Sequence, residues 1–483
     1  MAAALTTTGR LVAGVDCSTQ ATKVEIRDVD SGEIIATGSA AHPQSTPPRS
    51  EQPPAAWWAA FEQAWAQAGS PSVAAISVAA QQHGMVALDE SGAIVRDAKL
   101  WNDTETAPDA GWLLKQLPGG AAEWAERCGT VPVAALTISK LSWLHRSEPD
   151  NWARMAKVVL PHDWMTAQLT GAPNDSISTD RGDASGTGYW SAATGEYDWD
   201  LLAIVDADRD WRRAVPRVLG PMEVAGQWRG SVVASGTGDN MAAALGLGID
   251  VGDVVISIGT SGTISTVSAT PVNDISGAVA GFADATGRFL PLVCTLNATR
   301  VTDAVARLLG VGLDELAAMA LATPAGAGGM TLLPYFDGER VPNRPKSTGW
   351  LSGIRSDVTR EQLARAAYEG VVCSLLDGFD ALSRHTAAAQ RIVLVGGGAR
   401  SQAYRQVFAD LCDLPVVVAT AVEAVATGAC VQAASVLDQR SAADVSAQWA
   451  LDSTAAVDRS VAMGGASPAE VRAPYAALRD RTG

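Results

Sequence analysis

LVAGVDCSTQATKVEIRD, residues 11–28, is the stretch that decides the fold. Apolar and polar residues alternate on both sides of a small-residue turn, residues 16–22, which predicts a β-hairpin with exposed backbone N–H groups at its tip. Such a tip suits a magnesium-bound phosphate group, because the N–H groups form an anion-binding nest and Asp16 can hold the metal, usually through water. Lys23 leads out of the turn. The hairpin is not a Walker A loop, because it lacks the pattern G-x-x-x-x-G-K-[ST].

A second stretch, VGDVVISIGTSGTISTV at residues 251–267, repeats this design. Two β-rich arms flank the small-residue turn from Gly259 to Gly262. Two phosphate-type hairpins, one in each half of the chain, predict a duplicated architecture with one hairpin per domain. The alternative is a pair of ordinary hairpins in a glycine-rich protein.

The length of 483 residues exceeds what one hydrophobic core usually serves. We predict an N-terminal domain over residues 1–240, a C-terminal domain over residues 241–440 and a helical tail over residues 441–483. The net charge of −16 argues against a surface for nucleic acid or an anionic membrane. Phosphate binding would therefore rely on local backbone donors and a divalent cation, because the overall field repels anions.

The cysteines favour a reducing compartment. There are six, they are scattered, and they form no C-x-x-C pair, so the sequence indicates neither a disulfide framework nor a zinc site. No apolar run is long enough to span a bilayer. Residues 1–10 lack the features of a secretory signal, and we expect a disordered leader there. We therefore expect a cytoplasmic protein.

Two polar clusters in the first half are candidates for binding hydroxyl groups. The clusters are Gln82-His83-Gly84 and Trp101-Asn102-Asp103. The first follows an apolar stretch, residues 73–80, that predicts a buried strand. A lone histidine is more often structural, and the second cluster is also compatible with an ordinary turn. Because thirteen of the fifteen tryptophans precede residue 240, and aromatic faces pack on sugar C–H groups, we place a sugar on this half.

Asp239 is the best candidate for a catalytic carboxylate. It follows Gly236-Thr-Gly and precedes a small-residue helix, at the predicted domain junction where a cleft would form. A helix N-cap is the alternative. Between Glu223 and Asp250 no other carboxylate or histidine could accept a proton, which favours the catalytic interpretation.

A third loop suited to a phosphate group or an adenine ring lies in the second half. The predicted strand over residues 392–395 runs into Gly396-Gly397-Gly398-Ala399, where a ligand could approach the backbone closely. Gln402 lies in the first turn of the predicted helix that follows. An ordinary strand-to-helix turn is the alternative.

Together these residues resemble the FGGY family of carbohydrate kinases over essentially the whole chain. No single motif is specific, but their order along the chain is. The motifs are Gly14-Val-Asp-Cys-Ser-Thr-Gln-Ala-Thr-Lys23, Gln82-His83-Gly84, Trp101-Asn-Asp103, Gly236-Thr-Gly-Asp-Asn240, Ile258-Gly-Thr-Ser-Gly262, Leu333-Pro-Tyr through Gly338-Glu-Arg340, Gly349-x-Leu351-x-Gly353-Ile354 with Gln362-Leu363 and Ala366-Ala367-Tyr368-Glu369, and Gly396 to Ser401, with a partial match at Lys140-Leu-Ser-Trp143-Leu144.

The resemblance implies an α/β, actin-like (ribonuclease-H-like) fold of two duplicated domains with a cleft between them. ATP would lie mainly against the C-terminal domain and the sugar mainly against the N-terminal one. The implied reaction is phosphoryl transfer from ATP, with Mg²⁺, to D-xylulose, in a pathway of xylose catabolism. The expected partners are the sugar and ATP, without nucleic acid or membrane, and a second copy of the chain is a further candidate.

The resemblance also implies roles for individual residues. Asp239 resembles the general base, and Asp16 the carboxylate that organises the metal. The residues expected to bind the sugar are Gln82, His83, Trp101, Asn102, Asp103 and Asn240. The positions that match ATP contacts are Thr19, Gln20, Lys23, Gly259, Thr260, Gly397, Gly398 and Gln402.

One departure concerns the sugar. Many family members that phosphorylate D-xylulose have methionine where this chain has Gln82, so another ketopentose or a polyol, such as D-ribulose or xylitol, is an alternative substrate. The arginine–glutamate pair of glycerol kinases is absent here, which makes glycerol a poor candidate. A non-catalytic actin-like ATP-binding protein is the alternative from another class, and a mere nucleotide switch would not need Asp239 beside a sugar site.

Overall fold

The computed structural model describes residues 10–421, 423–459 and 465–481. The predicted leader, apart from residue 10, lies outside the described residues. The described strands are β1 (Leu11–Cys17), β2 (Ala21–Asp28), β3 (Ile34–Ala41), β4 (Glu51–Gln52), β5 (Ala75–Ala80), β6 (Val86–Leu88), β7 (Ala98–Lys99), β8 (Lys157–Val159), β9 (Ser178–Asp180), β10 (Trp190–Ser191), β11 (Glu196–Tyr197), β12 (Arg217–Leu219), β13 (Val224–Trp228), β14 (Ser231–Ala234), β15 (Thr237–Gly238), β16 (Asp253–Ile258), β17 (Gly262–Thr266), β18 (Ala280–Ala283), β19 (Phe289–Thr295), β20 (Thr331–Leu333), β21 (Trp350–Ser352), β22 (Arg391–Val395), β23 (Val416–Ala419) and β24 (Thr454–Val457). The described helices are α1 (Pro54–Gln67), α2 (Ala107–Leu113), α3 (Gly120–Cys128), α4 (Thr137–Ser147), α5 (Pro149–Arg154), α6 (Pro161–Thr170), α7 (Arg181–Ser185), α8 (Trp199–Val205), α9 (Trp211–Ala214), α10 (Asp239–Gly246), α11 (Thr299–Leu309), α12 (Leu313–Ala322), α13 (Arg360–Ser383), α14 (Gln402–Leu411), α15 (Ala424–Asp438), α16 (Ala442–Gln448) and α17 (Pro468–Arg481).

The first large sheet has the order β13-β14-β5-β1-β2-β3, with β15 paired to β5. β1, β2 and β3 form an antiparallel meander, whereas β5 lies parallel to β1 and β14 lies parallel to β5. The hairpin predicted over residues 11–28 is present as β1 and β2, with Leu11 opposite Asp28 and Cys17 opposite Thr22. All of β1 except its first residue is buried, as expected for a central strand covered on both faces.

The second large sheet repeats this topology. Its order is β18-β19-β17-β16-β22-β23-β24. The second predicted hairpin is β16 and β17, which continue antiparallel to β19, while β22 and β23 join β16 in parallel. Both sheets therefore contain the same five-strand core, and the predicted duplicated two-domain α/β fold is confirmed.

Two helices join the sheets. α10 and α15 pack against each other, and α15 also packs on β1 and β5. A Cβ built on Gly428 would lie 1.7 Å from the carbonyl oxygen of Ala242, and one built on Gly246 would lie 1.9 Å from that of Ala424. The crossing is therefore backbone against backbone. The apolar cluster around it includes residues of both β1 and β16, so one core connects the two halves.

The predicted helical tail over residues 441–483 is wrong in one respect. The segment contains β24, which pairs antiparallel with β23 and extends the second sheet. Four residues are too few to show a strand period in an alanine-rich sequence. The domain bounds at residues 240 and 440 stay a prediction, and α15 contributes to both halves. Among the described residues, no helix is both long and apolar enough to cross a membrane.

The helix crossing gives a stability test. Gly428→Ala should lower the free energy of unfolding by about 1–3 kcal/mol, because the new methyl group meets backbone atoms of α10 that cannot rotate away. Gly111→Ala is the matched control, since Gly111 also lies within a helix and nothing lies within 4 Å of a Cβ built on it. That change should stabilise slightly. Urea unfolding measures both variants, and an unchanged midpoint for Gly428→Ala would contradict the close crossing.

Candidate active site

The predicted site residues lie in loops at the carboxyl ends of the central strands of both sheets. β1 ends at Cys17 and β5 at Ala80, and β15 places Gly238 beside Ala80. In the second sheet, β16 ends at Ile258 and β22 at Val395, each immediately before a glycine-containing loop. Because carboxyl ends of neighbouring parallel strands meet at one edge, each half contributes one compact group of loops.

Asp239 is the first residue of α10, and the N-cap position belongs to Gly238. Its Oδ1 accepts hydrogen bonds from the backbone N–H and from Nδ2 of Asn240, at 2.8 and 2.9 Å. Burial raises the pKa of Asp239 to about 6, although part of the residue's surface is exposed. A positioned carboxylate with a pKa in this range can accept a proton near neutral pH.

Asp16 lies at the end of β1, directly opposite Lys23 in β2. Its Oδ1 is buried and has no hydrogen-bond partner among the described residues. Burial raises the pKa of Asp16 to about 7, the charge of Lys23 opposes this rise, and the charge of Asp239 adds to it. The electrostatic coupling places the two predicted catalytic carboxylates in the same region.

Lys23 has a partner that the sequence did not reveal. Its Nζ lies 2.5 Å from Oε2 of Glu423, the N-cap residue of α15. Both side chains are about one-third to two-fifths exposed, so solvent weakens the pair. Lys23, which was predicted to contact ATP, is thus paired with the carboxylate of Glu423 in this structure. Glu423 stands in an alanine-rich stretch without a recognisable motif, which explains why it was missed.

Gln82 and His83 follow β5, and the side-chain amide of Asn240 connects Gln82 to Asp239. Gln82 Oε1 accepts a hydrogen bond from Asn240 Nδ2 at 2.9 Å. His83 Nδ1 lies 2.7 Å from the carbonyl oxygen of Gly186 and must be the donor, because a carbonyl oxygen only accepts. Burial lowers the pKa of His83 to about 3. The ring is therefore neutral, and its Nε2 can accept a hydrogen bond from a hydroxyl group.

The three residues of the second polar cluster, Trp101-Asn102-Asp103, have different surroundings. Trp101 Nε1 donates to Thr19 Oγ1 at 2.9 Å, which connects this loop to the tip of the first hairpin. Asn102 Oδ1 is buried without a partner among the described residues, so it can accept a hydrogen bond from a ligand. Asp103 is fully buried and accepts hydrogen bonds from Lys99 Nζ and the Ser50 N–H, both at 2.9 Å.

This environment corrects the expectation that Asp103 binds sugar. Lys99 is itself fully buried, and its ammonium group also lies 3.0 Å from Glu51 and 2.7 Å from Glu105. A buried ammonium needs anionic partners, because leaving it unpaired would cost several kcal/mol. Asp103 meets that need and has no surface that a sugar could contact.

The loop after β16 is supported by the start of α11. The N–H groups of Ala298 and Thr299 donate to the carbonyl oxygens of Thr260 and Gly259, at 3.1 and 2.9 Å. Thr260 itself is exposed. The loop is thus fixed from behind, while its tip is accessible to a phosphate group.

The loop after β22 combines tight packing with an open backbone. A Cβ built on Gly398 would lie 2.4 Å from Ile258 Cγ2, so only glycine allows this contact with the neighbouring strand. A Cβ built on Gly397 has nothing within 4 Å, which leaves its backbone open to a flat ring or a phosphate group. Gln402 begins α14 and is exposed, as is Gln20 on the first hairpin.

Arg340 is a second site residue, after Glu423, to which the sequence analysis gave no role, although it belongs to the Gly338-Glu-Arg340 motif. Buried Glu339 holds this loop through hydrogen bonds from the N–H groups of Leu296 and Arg340 and from Asn297 Nδ2. The positive charge of Arg340 contributes to the lowered pKa of His83, so the guanidinium lies in the region where the sequence predicts sugar binding.

Comparison with known proteins agrees with this geometry. The N-terminal domain of the FGGY family of carbohydrate kinases matches residues 11–248, and the C-terminal domain of the same family matches residues 254–437. The chain belongs to this FGGY family. It is 46% identical over 453 residues to a xylulose kinase of Streptomyces coelicolor, with 91% of each chain covered.

Further relatives support the assignment to the FGGY family. A xylulose kinase of Streptomyces rubiginosus is 45% identical over 453 residues, again with 91% of each chain covered. The crystal structure of xylulose kinase from Bifidobacterium adolescentis superposes with a TM-score of 0.85 at 40% identity, covering 98% of this chain and 100% of the other. The FGGY fold is therefore present over nearly the entire length.

His83→Ala tests whether this side chain binds the sugar. If Nε2 accepts a sugar hydroxyl group, the variant should lose roughly ten- to hundredfold in kcat/KM for the sugar, with little change in KM for ATP, because an unpaired buried hydroxyl costs about 1–3 kcal/mol. His145→Ala is the matched control, since His145 also uses Nδ1 to contact a carbonyl oxygen, that of Val205, at 2.8 Å. A lowered melting temperature with unchanged sugar kinetics would assign His83 a structural role only.

Proposed function

We propose that this chain is an ATP-dependent kinase that converts D-xylulose to D-xylulose 5-phosphate. The observation that carries the proposal is the connected group of Asp239, Asn240 and Gln82, which joins a proton-accepting carboxylate to the residue preceding His83. The three relatives described above are xylulose kinases and match almost the whole chain. As a kinase, the chain takes its phosphoryl group from ATP.

The geometry supports one assignment of roles. Asp239 accepts the proton of the terminal sugar hydroxyl as that oxygen attacks the γ-phosphate in line. The new bond forms between this oxygen and the γ-phosphorus, the bond to the β–γ bridging oxygen breaks, and ADP leaves. His83 and Gln82 orient the sugar, and the backbone N–H groups of the two hairpin tips bind the phosphate groups.

A Mg²⁺ ion fits beside Asp16. Oδ1 has no partner among the described residues, and burial raises the pKa of Asp16 more than the charge of Lys23 lowers it, so a divalent cation would further stabilise the ionised form. We infer that Asp16 holds the ion, through water, near the tip of the first hairpin. When bound, Mg²⁺ supplies neutralisation of charge on the phosphate groups. Lys23 supplies further positive charge on the opposite strand.

Another ketopentose or a polyol is the second candidate substrate, and Gln82 is the observation that favours it. A side-chain amide both donates and accepts hydrogen bonds, so it can distinguish the configuration of a neighbouring hydroxyl group. Its Oε1 is already engaged by Asn240, which leaves mainly the donor Nε2 for the sugar.

A coupled assay of ADP release over D-xylulose, D-ribulose and xylitol tests the proposed function. We expect the highest kcat/KM with D-xylulose, and a fall in activity as the pH drops below about 6, because protonated Asp239 cannot act as a base. Asp239→Asn keeps the shape but removes the base, so kcat should fall by about 10²–10⁴-fold while ATP binding persists. If none of the three compounds stimulates ADP release from ATP, the assignment is overturned. Near-normal turnover of Asp239→Asn would remove Asp239 from the mechanism.

We also infer a cytoplasmic location. All six cysteines lie in the described part of the chain, and all are free thiols. Free thiols are typical of a reducing compartment.

We further propose that the chain forms a homodimer through residues 350–358. β21 pairs only with β20 among the described residues, so its other edge is open. Trp350 and Ile354 are 54% and 60% exposed, and Leu351 and Val358 are also exposed. β21 is only three residues long, but the apolar side chains exposed on it and on the segment that follows form a patch of the kind that marks a protein–protein contact. Residues 350–358 carry one arginine and one aspartate, so this edge is neutral on a chain of net charge −16.

A second copy suits this segment, because a two-fold axis close to it lets Arg355 of each copy approach Asp357 of the other. Ile354→Arg should therefore convert a dimer to a monomer in sedimentation velocity. Ile275→Arg is the matched control, because Ile275 is 58% exposed and lies outside the edge. A wild-type monomer, or a dimer that survives Ile354→Arg, would contradict the proposed interface.

A further inference from the structure

A cluster of buried charged side chains lies directly behind the loop that carries Asp239. The cluster consists of His162, Asp163, Asp180 and Asp183, all at most 2% exposed. His162 and Asp163 belong to the first turn of α6, while Asp180 caps α7 by accepting the N–H groups of Gly182 and Asp183. These residues were not part of any predicted site, and the roles assigned above do not use them.

The geometry fixes the protonation of His162. Its Nε2 lies 2.8 Å from the carbonyl oxygen of Ser235, which can only accept, so Nε2 carries a hydrogen. Its Nδ1 lies 2.9 Å from Asp163 Oδ1 and 3.3 Å from Asp183 Oδ2. Three buried ionised carboxylates without a cation would repel one another strongly, which favours a hydrogen on Nδ1 as well. The neighbouring carboxylates accordingly raise the pKa of His162 against the effect of burial. Burial and the neighbouring carboxylates also raise the pKa of Asp183 to about 8, so a proton on Asp183 relieves part of the same repulsion.

The cluster contacts the loop of the base at two positions. The ring of His162 lies against Gly236, where a built Cβ would come within 2.4 Å of the ring. Asp180 Oδ2 accepts a hydrogen bond from Thr237 Oγ1 at 2.8 Å, two residues before Asp239. Ser235 and Thr237 are therefore held from the same side, and α10 starts immediately after them.

The same cluster also reaches the residues expected to bind the sugar. α7, which Asp180 caps, presents the carbonyl oxygen of Gly182 to Gln82 Nε2 at 3.5 Å. The residue that follows α7, Gly186, accepts the hydrogen bond from His83 Nδ1 at 2.7 Å. One buried group thus supports both the proton acceptor and the sugar contacts.

We propose that His162, as an imidazolium paired with Asp163 and Asp183, is the positioning residue that sets the distance between Asp239 and the bound sugar. The inference rests on the proposed function, because it assumes that Asp239 is the base and that the sugar lies beside Gln82 and His83. The cation offsets part of the negative charge of the buried carboxylates, and its hydrogen bond to Ser235 aligns the loop of the base. Neither contact involves the nucleotide.

Charge replacement at His162 provides the test. His162→Gln removes the cation, and kcat for the sugar should fall roughly ten- to hundredfold, since a displacement of about 1 Å at the reacting atoms can cost 10²-fold. KM for ATP should stay nearly unchanged. His162→Lys restores a cation that can donate to Ser235 and to the carboxylates, and it should recover most of the lost kcat.

Two further variants separate positioning from stability. Leu202→Ala removes a fully buried side chain of α8 to which no site role is assigned, and it should lower the melting temperature without lowering kcat. Thr237→Val breaks the bond to Asp180 while keeping the shape and the charges of the cluster. It should lower kcat for the sugar, and it keeps the inference testable if His162→Gln does not fold.

The outcomes are distinguishable from a failure of the proposed function. A wild-type protein that phosphorylates none of the sugars overturns the function itself. If the wild type is active, full kcat in either His162→Gln or Thr237→Val overturns the positioning role, as does a His162→Lys variant no better than His162→Gln. One equivalent of a tightly bound transition metal in the wild type, lost in His162→Lys, would also overturn it, because His162 would then be a metal ligand and not a cation.

Discussion

The crossing of α10 and α15 is the contact on which both halves of the site depend. Asp239 begins α10, and Glu423, the partner of Lys23, immediately precedes α15. Because glycines at the crossing let the two backbones touch, no flexible side chain between them can absorb a displacement. The position of Asp239, the proposed base, and the position of Glu423 are therefore fixed by one packing contact. The apolar cluster around it extends into both sheets.

The sequence was sufficient to predict elements whose signal is local. Alternation and small-residue turns predicted both hairpins, which the structure contains. The catalytic role of Asp239, proposed because no other proton acceptor stood near it in the chain, stays a prediction. The role of Asp103 was mistaken, because its motif does not show that Lys99 would be buried beside it. Glu423 was missed because its contact with Lys23 joins positions 400 residues apart. The cluster around His162 was missed for the same reason, since its members come from separate elements.

Two buried cations of the first half, Lys99 and His162, each lie among carboxylates. Lys99 lies within 3.0 Å of three of them and 3.9 Å from the centre of the Trp143 ring. His162 lies between Asp163 and Asp183. Such groups add little net stability, because desolvation offsets their attraction. Their directional bonds do define loop positions: Lys99 fixes the loop of Trp101, and His162 fixes the loop of Asp239.

The hydrogen bond from Trp101 to Thr19 also has a consequence for the optical properties of the protein. Trp124 is fully buried and donates its indole N–H to the carbonyl oxygen of Leu113, within the protein core. Trp101 is only half-buried, and its indole N–H is bonded to the hairpin tip. The second half of the chain contributes only Trp350 and Trp449. Intrinsic fluorescence therefore reports mainly the first half, and Trp101 is the indole whose emission should respond to events at that hairpin.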